Sequence, residues 1–164
     1  MIKISIGKKI SNNNCITIQT RKGNNIKNTV YDKISKYMQY LNSEYERKYP
    51  NIQYRSKETS NYNCFGMIFA SRRCFIIGDI NNILVDDDYK TVDFNEVLPG
   101  DIVLYLQNYE IIHCGIVIEK PDNENLWNPL VISKWHCFRE VIHHMNNCPY
   151  SPHTTERKFY RIFE

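Results

Sequence analysis

At 164 residues the chain has the length of one domain. Its 42% apolar and 24% charged residues sit near globular averages, which excludes a disordered or collagen-like chain, and no run approaches the ~20 apolar residues of a membrane span. A formal charge of +3 is too small to argue for nucleic acid.

In chain order, the first nine residues lack the apolar core and small-residue cleavage site of a secretory leader, so a cytoplasmic, reducing setting is expected. The six cysteines, Cys15, Cys64, Cys74, Cys114, Cys137 and Cys148, contain no C-x-x-C pair and read as thiols. Ile2, Ile4 and Ile6, then Ile16 and Ile18, alternate with polar residues and predict a hairpin turning over Lys8 to Asn14. From Ile26 the apolar positions move to Val30, Ile34, Tyr37, Met38, Leu41 and Tyr45, a helical stripe that ends near Tyr49-Pro50. After the polar segment Arg55 to Tyr62, Asn63 to Ala70 predicts a second helix that starts at or just before Cys64. Asp86-Asp87-Asp88 reads as a solvated loop, because it lacks the ligand spacing of a calcium loop. A turn over Asp93 to Gly100 leads into predicted strands at Asp101 to Leu106, Glu110 to Ile118, Leu130 to Trp135 and Phe159 to Phe163. The expectation is one α+β domain with helices packed on an antiparallel sheet, a hairpin and helix over 1–60 preceding a core over 61–164.

One cysteine separates from the rest. A thiol at a helix start meets unpaired backbone N–H groups and the positive end of the dipole, which favour the thiolate. Cys64 has that placement, and His113 on a later strand is a base able to take and return its proton. The other five cysteines read as buried core thiols. His113-Cys114 and His136-Cys137 fit no common zinc spacing, so neither metal nor cofactor is expected. The tyrosines of the first helix, beside Lys33, Lys36 and Lys48, read as helix packing and not as a nucleic-acid surface.

The order Asn63-Cys64-Phe65-Gly66, Leu98-Pro99-Gly100-Asp101-Ile102-Val103, then His113-Cys114-Gly115-Ile116-Val117 resembles the NlpC-type branch of papain-like cysteine hydrolases. The resemblance spans about Tyr62 to Tyr150. It implies a papain-like fold and a thioester mechanism, with Cys64 as nucleophile, His113 as base and then acid, and the Cys64 N–H stabilising the oxyanion. A polar residue on the strand after the base orients the imidazole in that family. Ser133 lies nearest that position, with His136 a second option. Ser133-Lys134-Trp135 followed by His144-x4-Pro149-Tyr150 is similar to bacterial members of the group, which adds His144 as a candidate third residue. Tyr62, Asn63, Gly66 and Trp135 are the implied substrate contacts. The implied substrate is a peptide or peptidoglycan-like amide, and the same thioester could pass its acyl group to an amine. A catalytically silent module that binds a peptide or partner protein is the alternative.

Overall fold

The structure, a computed structural model, describes residues 15–119 and 129–163. The first arm of the expected hairpin lies outside these residues, as does Trp127. The helices are α1 (Lys36–Lys48), α2 (Cys64–Phe69) and α3 (Ile80–Asp86). The strands are β1 (Asn28–Thr29), β2 (Gln53–Tyr54), β3 (Phe75–Ile76), β4 (Tyr89–Val92), β5 (Ile102–Gln107), β6 (Glu110–Glu119), β7 (Leu130–Lys134), β8 (Glu140–His144) and β9 (Glu156–Ile162). Seven of them form one antiparallel sheet in the order β2-β8-β7-β6-β5-β9-β4, and β1 pairs with β3 in a separate two-stranded ribbon.

This overturns the expected papain-like α+β arrangement of helices on a sheet. The chain is mostly β, with a seven-stranded sheet, a two-stranded ribbon and three short helices. Two local causes shorten the helices. The Asn28 side chain accepts from the Ile16 N–H at 3.0 Å and donates to the Ile16 carbonyl at 2.8 Å, which draws the start of the apolar stripe into extended structure. Helix α1 therefore begins only after Ser35, whose hydroxyl caps the Met38 N–H. Helix α2 stops after six residues because Ser71 and Arg72 both take left-handed conformations, φ 48° and 66°. The Arg72 N–H closes the turn onto the Gly66 carbonyl at 2.9 Å. That strained turn is held by the Arg72 guanidinium, which grips both carboxylate oxygens of buried Glu140 at 2.6 and 3.1 Å.

The alternating segments predicted as strands do form β5, β6, β7 and β9. Strand alternation gives the large sheet two apolar faces. On one, Val103, Tyr105, Val117, Val131, Val141 and Phe159 pack with Trp135 and Phe138. Tyr45 and Tyr49 of α1 meet Trp135 edge-on, with ring centroids 5.8 and 5.0 Å away. On the other face Ile102, Leu104, Leu106 and Cys114 pack with Cys64 and with Ile80, Ile83 and Leu84 of α3. Residues before Tyr62 thus belong to the main core and sheet, since β2 pairs with β8. Asp101, buried at the start of β5, pairs with the Arg161 guanidinium of β9 at 2.6 and 2.7 Å and also accepts from the Leu98 N–H. Among the described residues, no helix is long and apolar enough to cross a membrane.

The sheet forks. Strands β6 and β7 pair through Ile116 and Ile132 and then separate, while β6 stays on β5 down to Glu110 and β7 stays on β8 up to Lys134. Gly115 stands at the branch point, where a Cβ would meet the Ile132 carbonyl at 3.1 Å and the Ser133 Cβ at 3.3 Å. Helix α2 packs against both β6 and β7 there.

Gly66 is the tightest point of that packing, since a Cβ would lie 1.8 Å from the Cys74 carbonyl oxygen. Alanine is intrinsically the better helix former by about 1 kcal/mol, but the clash is with backbone and outweighs it. Gly66→Ala is expected to destabilise the fold by about 3 kcal/mol, measured by urea unfolding. An unchanged midpoint would mean that α2 is not seated against Cys74 as described.

Candidate functional site

Asn63 sets the start of α2. Its side-chain oxygen accepts from the Gly66 N–H at 2.9 Å and the Ile76 N–H at 3.2 Å, and its amide donates to the Ile76 carbonyl at 3.0 Å. One side chain therefore caps the helix and ties it to β3, leaving Cys64 as the first helical residue inside the fork. Cys64 is 6% exposed and His113 is fully buried.

The fork brings Cys64 beside His113 and Cys114 of β6. Burial by itself pushes the Cys64 thiol up, but the Cys114 side chain, the His113 imidazole and the Cys114 backbone N–H together hold it well below the usual thiol range. Cys114 moves the opposite way, raised by burial and by the neighbouring Cys64 sulfur. The two thiols are thus pushed in opposite directions, with the Cys114 S–H placed to donate toward the Cys64 sulfur. Neither ring nitrogen of His113 makes a well-formed hydrogen bond among the described residues, so it acts on Cys64 through Coulombic attraction and a looser side-chain contact. The ring is instead stacked on Tyr150, centroids 3.8 Å apart and planes 10° from parallel, with Tyr105 tilted against it at 5.2 Å.

None of the three candidate orienting residues makes a hydrogen bond to His113. Fully buried Ser133 bonds to His143 Nε2 at 2.8 Å and accepts from the Trp135 indole N–H at 3.0 Å. His136, in a turn after β7 with φ 51°, has its Nδ1 on the Cys137 sulfur at 3.2 Å. His144 is exposed and pairs with Leu130, four residues along β7 from Lys134, or about 13 Å at strand spacing. Of the expected substrate contacts, Trp135 is fully buried, the Tyr62 hydroxyl donates to Glu140 at 2.7 Å, Asn63 is the cap and Gly66 meets Cys74. All four hold the fork in place. Of the cysteines expected in the core, Cys74, Cys114, Cys137 and Cys148 are buried, but Cys15 is exposed.

Two residues beside the site carry roles that the sequence reading did not assign. Lys134 is completely buried, and its ammonium donates to the carbonyls of Thr59, His136 and Phe138 at 3.0, 3.0 and 2.5 Å. Three acceptors use all three N–H bonds of the charged form, while burial lowers its pKa to about 8. This cation interacts with Cys64 across the fork. His143 is fixed in one tautomer: Nδ1–H donates to the His144 carbonyl at 2.8 Å, so Nε2 accepts from the Ser133 hydroxyl. A period-two reading of Val141, His143 and Met145 could have found the second, since these residues alternate inward along β8. A lysine within an otherwise apolar strand was the signal for the first.

An open cleft of about 560 Å³, lined by residues including Asp93, Phe94, Met145 and Arg157, contains neither Cys64 nor His113 and is lined by no cysteine or histidine. No group of three metal-ligating side chains is assembled among the described residues. No family model, curated protein or solved structure matches the chain.

Burial pushes His143 down to about 3, with the charge of His113 adding to the effect. The folded-state value lies below the ordinary 6.5, so as pH falls the unfolded chain takes up the proton first. The stabilisation is complete above about pH 6.5 and is lost as pH falls toward 3. Urea unfolding is expected to show a loss of about 2 kcal/mol from this residue between pH 7 and 5, absent in His143→Gln. Equal pH slopes for the two proteins would show that His143 is not held neutral.

Proposed function

We propose that the protein is a cysteine hydrolase that cleaves an amide bond, with Cys64 as nucleophile and His113 as proton carrier. The observation that carries this reading is the pairing of the two in the fork, with the His113 nitrogens uncommitted to any other group. The other buried histidine among the described residues, His143, bonds through both of its nitrogens. The motif order from Asn63-Cys64-Phe65-Gly66 through Pro99-Gly100-Asp101 to His113 supports the same reading.

In the forward step the Cys64 thiolate attacks the amide carbonyl carbon and forms a C–S bond, and the Cys64 N–H donates to the carbonyl oxygen. The C–N bond breaks as His113 gives its proton to the leaving amine. Water then attacks the thioester, His113 takes the water proton, and the C–S bond breaks to release the acid and restore the thiolate. An amine in place of water would give acyl transfer with the same residues. Cys114 and Lys134 hold the sulfur as thiolate between turnovers. A peptide or peptidoglycan-like amide is the substrate class.

Iodoacetamide is expected to modify Cys64 ahead of the exposed Cys15 at pH 6, with a midpoint for Cys64 below the ~8.5 of an ordinary thiol. Peptide mass analysis over a pH series reads both sites. Cys64→Ala is expected to abolish hydrolysis of an activated aryl ester, and His113→Ala to lower it at least about 100-fold. If Cys64 reacts only in the range of an ordinary thiol, the hydrolase reading fails.

A further inference from the structure

The proposed pair lacks a polar third side chain to orient the imidazole. Ser133 is committed to His143 and Trp135, His136 to Cys137, and His144 lies toward the far end of β8. A buried imidazole with no hydrogen bond at either nitrogen still needs something to fix its plane. The contact that does so is the near-parallel face of Tyr150 at 3.8 Å.

We infer that Tyr150 is the positioning residue of this site, its ring face setting the plane of His113 beside Cys64. This rests on the Cys64–His113 reading above. The platform is rigid. The Tyr150 carbonyl accepts from the His153 N–H at 3.0 Å and from the Thr154 hydroxyl at 2.9 Å. Arg157 of β9 binds the Ser151 hydroxyl at 2.7 Å, and the Thr155 N–H bonds the Leu106 carbonyl of β5 at 2.7 Å. The loop that carries Tyr150 is therefore tied to the strand that supplies Tyr105, the second wall of the imidazole slot. A stacked ring fixes the plane of an imidazole without occupying either nitrogen, so both remain available for thiol and leaving group. The negative face of the ring also attracts a cation held over it. Burial, then Tyr45 and the Cys64 sulfur, keep the Tyr150 phenol neutral, so its face and not a phenolate acts on His113.

The charged and titratable groups around the pair are Cys114 of β6, Lys134 of β7, His136 after it, His143 of β8 and Tyr105 of β5. All are unchanged in a Tyr150 variant. The test is the pH profile of Cys64 alkylation by iodoacetamide in the full chain, compared among wild type, Tyr150→Phe, Tyr150→Leu and His113→Ala. Tyr150→Phe keeps a stacking face and is expected to follow wild type. Tyr150→Leu is expected to react about fivefold more slowly at pH 7, with its midpoint moved upward toward that of His113→Ala. A wild-type profile in Tyr150→Leu, with His113→Ala clearly shifted, overturns the role of Tyr150 and leaves the Cys–His pair standing. An unshifted His113→Ala overturns the pair itself and the Tyr150 role with it. If Tyr150→Leu does not fold, the His113 ring protons of the wild-type protein decide by NMR. Upfield displacement by the stacked ring supports the role, and ordinary shifts overturn it.

Discussion

The parting of β6 from β7 is the constraint on which the rest of the site depends. In a continuous antiparallel ladder the residues beyond Ile116 and Ile132 would satisfy one another across the strands. Here they separate, and the start of α2 takes the vacant place, setting the Cys64 sulfur near the Cys114 N–H and the His113 ring. A fork inside a sheet leaves buried backbone groups without ladder partners, so other donors must be supplied. The Lys134 ammonium is one of them, satisfying three carbonyls where β7 ends and the chain turns. The turn after α2 is held by the Arg72–Glu140 pair, to which Tyr62 adds a third hydrogen bond. Asn63, Gly66, Gly115, Lys134 and Glu140 are thus parts of one device that wedges a helix end into a split sheet.

Much of that device was legible in the sequence, but its assignment was not. The strands that carry the site, β5 and β6, follow from apolar alternation, and Asn63-Cys64-Phe65-Gly66 marks a capped helix start. The size of the helices could not be read in the same way. The stripe from Ile26 to Tyr45 has helical spacing throughout, yet Asn28 bonds backbone twelve residues earlier and withdraws the first third. The end of α2 depends on Arg72 finding Glu140, a pairing across 68 residues that no local pattern encodes. Strands β4 and β8 were missed because both are short and carry lysine, glutamate or histidine in place of apolar residues. Missing β8 hid His143, and with it the reason why Ser133 is not available to His113.

The residues chosen as substrate contacts show a related limit. Tyr62, Asn63, Gly66 and Trp135 lie beside Cys64 in sequence or across the sheet, and the resemblance implied that they touch substrate. Each has instead a complete structural occupation: a carboxylate for Tyr62, a helix cap and β3 for Asn63, a carbonyl against Gly66, and Ser133 for the Trp135 indole. A site of this kind needs a rigid surround, because an imidazole displaced by about 1 Å loses much of its effect as a base. The neighbours of the pair are accordingly spent on holding it.

That contrast bears directly on His113. An unmade hydrogen bond on a buried polar group costs about 1–3 kcal/mol. The polar groups that build the fork avoid that cost: Ser133 and His143 satisfy each other, Lys134 fills its three bonds and Glu140 takes three donors. His113 alone among the described buried histidines leaves both nitrogens unbonded. A purely structural residue at this position would gain from replacement by an apolar side chain of similar volume, which would pack between Tyr105 and Tyr150 without the penalty. An imidazole set between two aromatic rings and beside a thiol pushed below its usual range is instead what the proposed role requires. In the proposed role, the unsatisfied nitrogens are the structural cost of leaving His113 free to carry a proton.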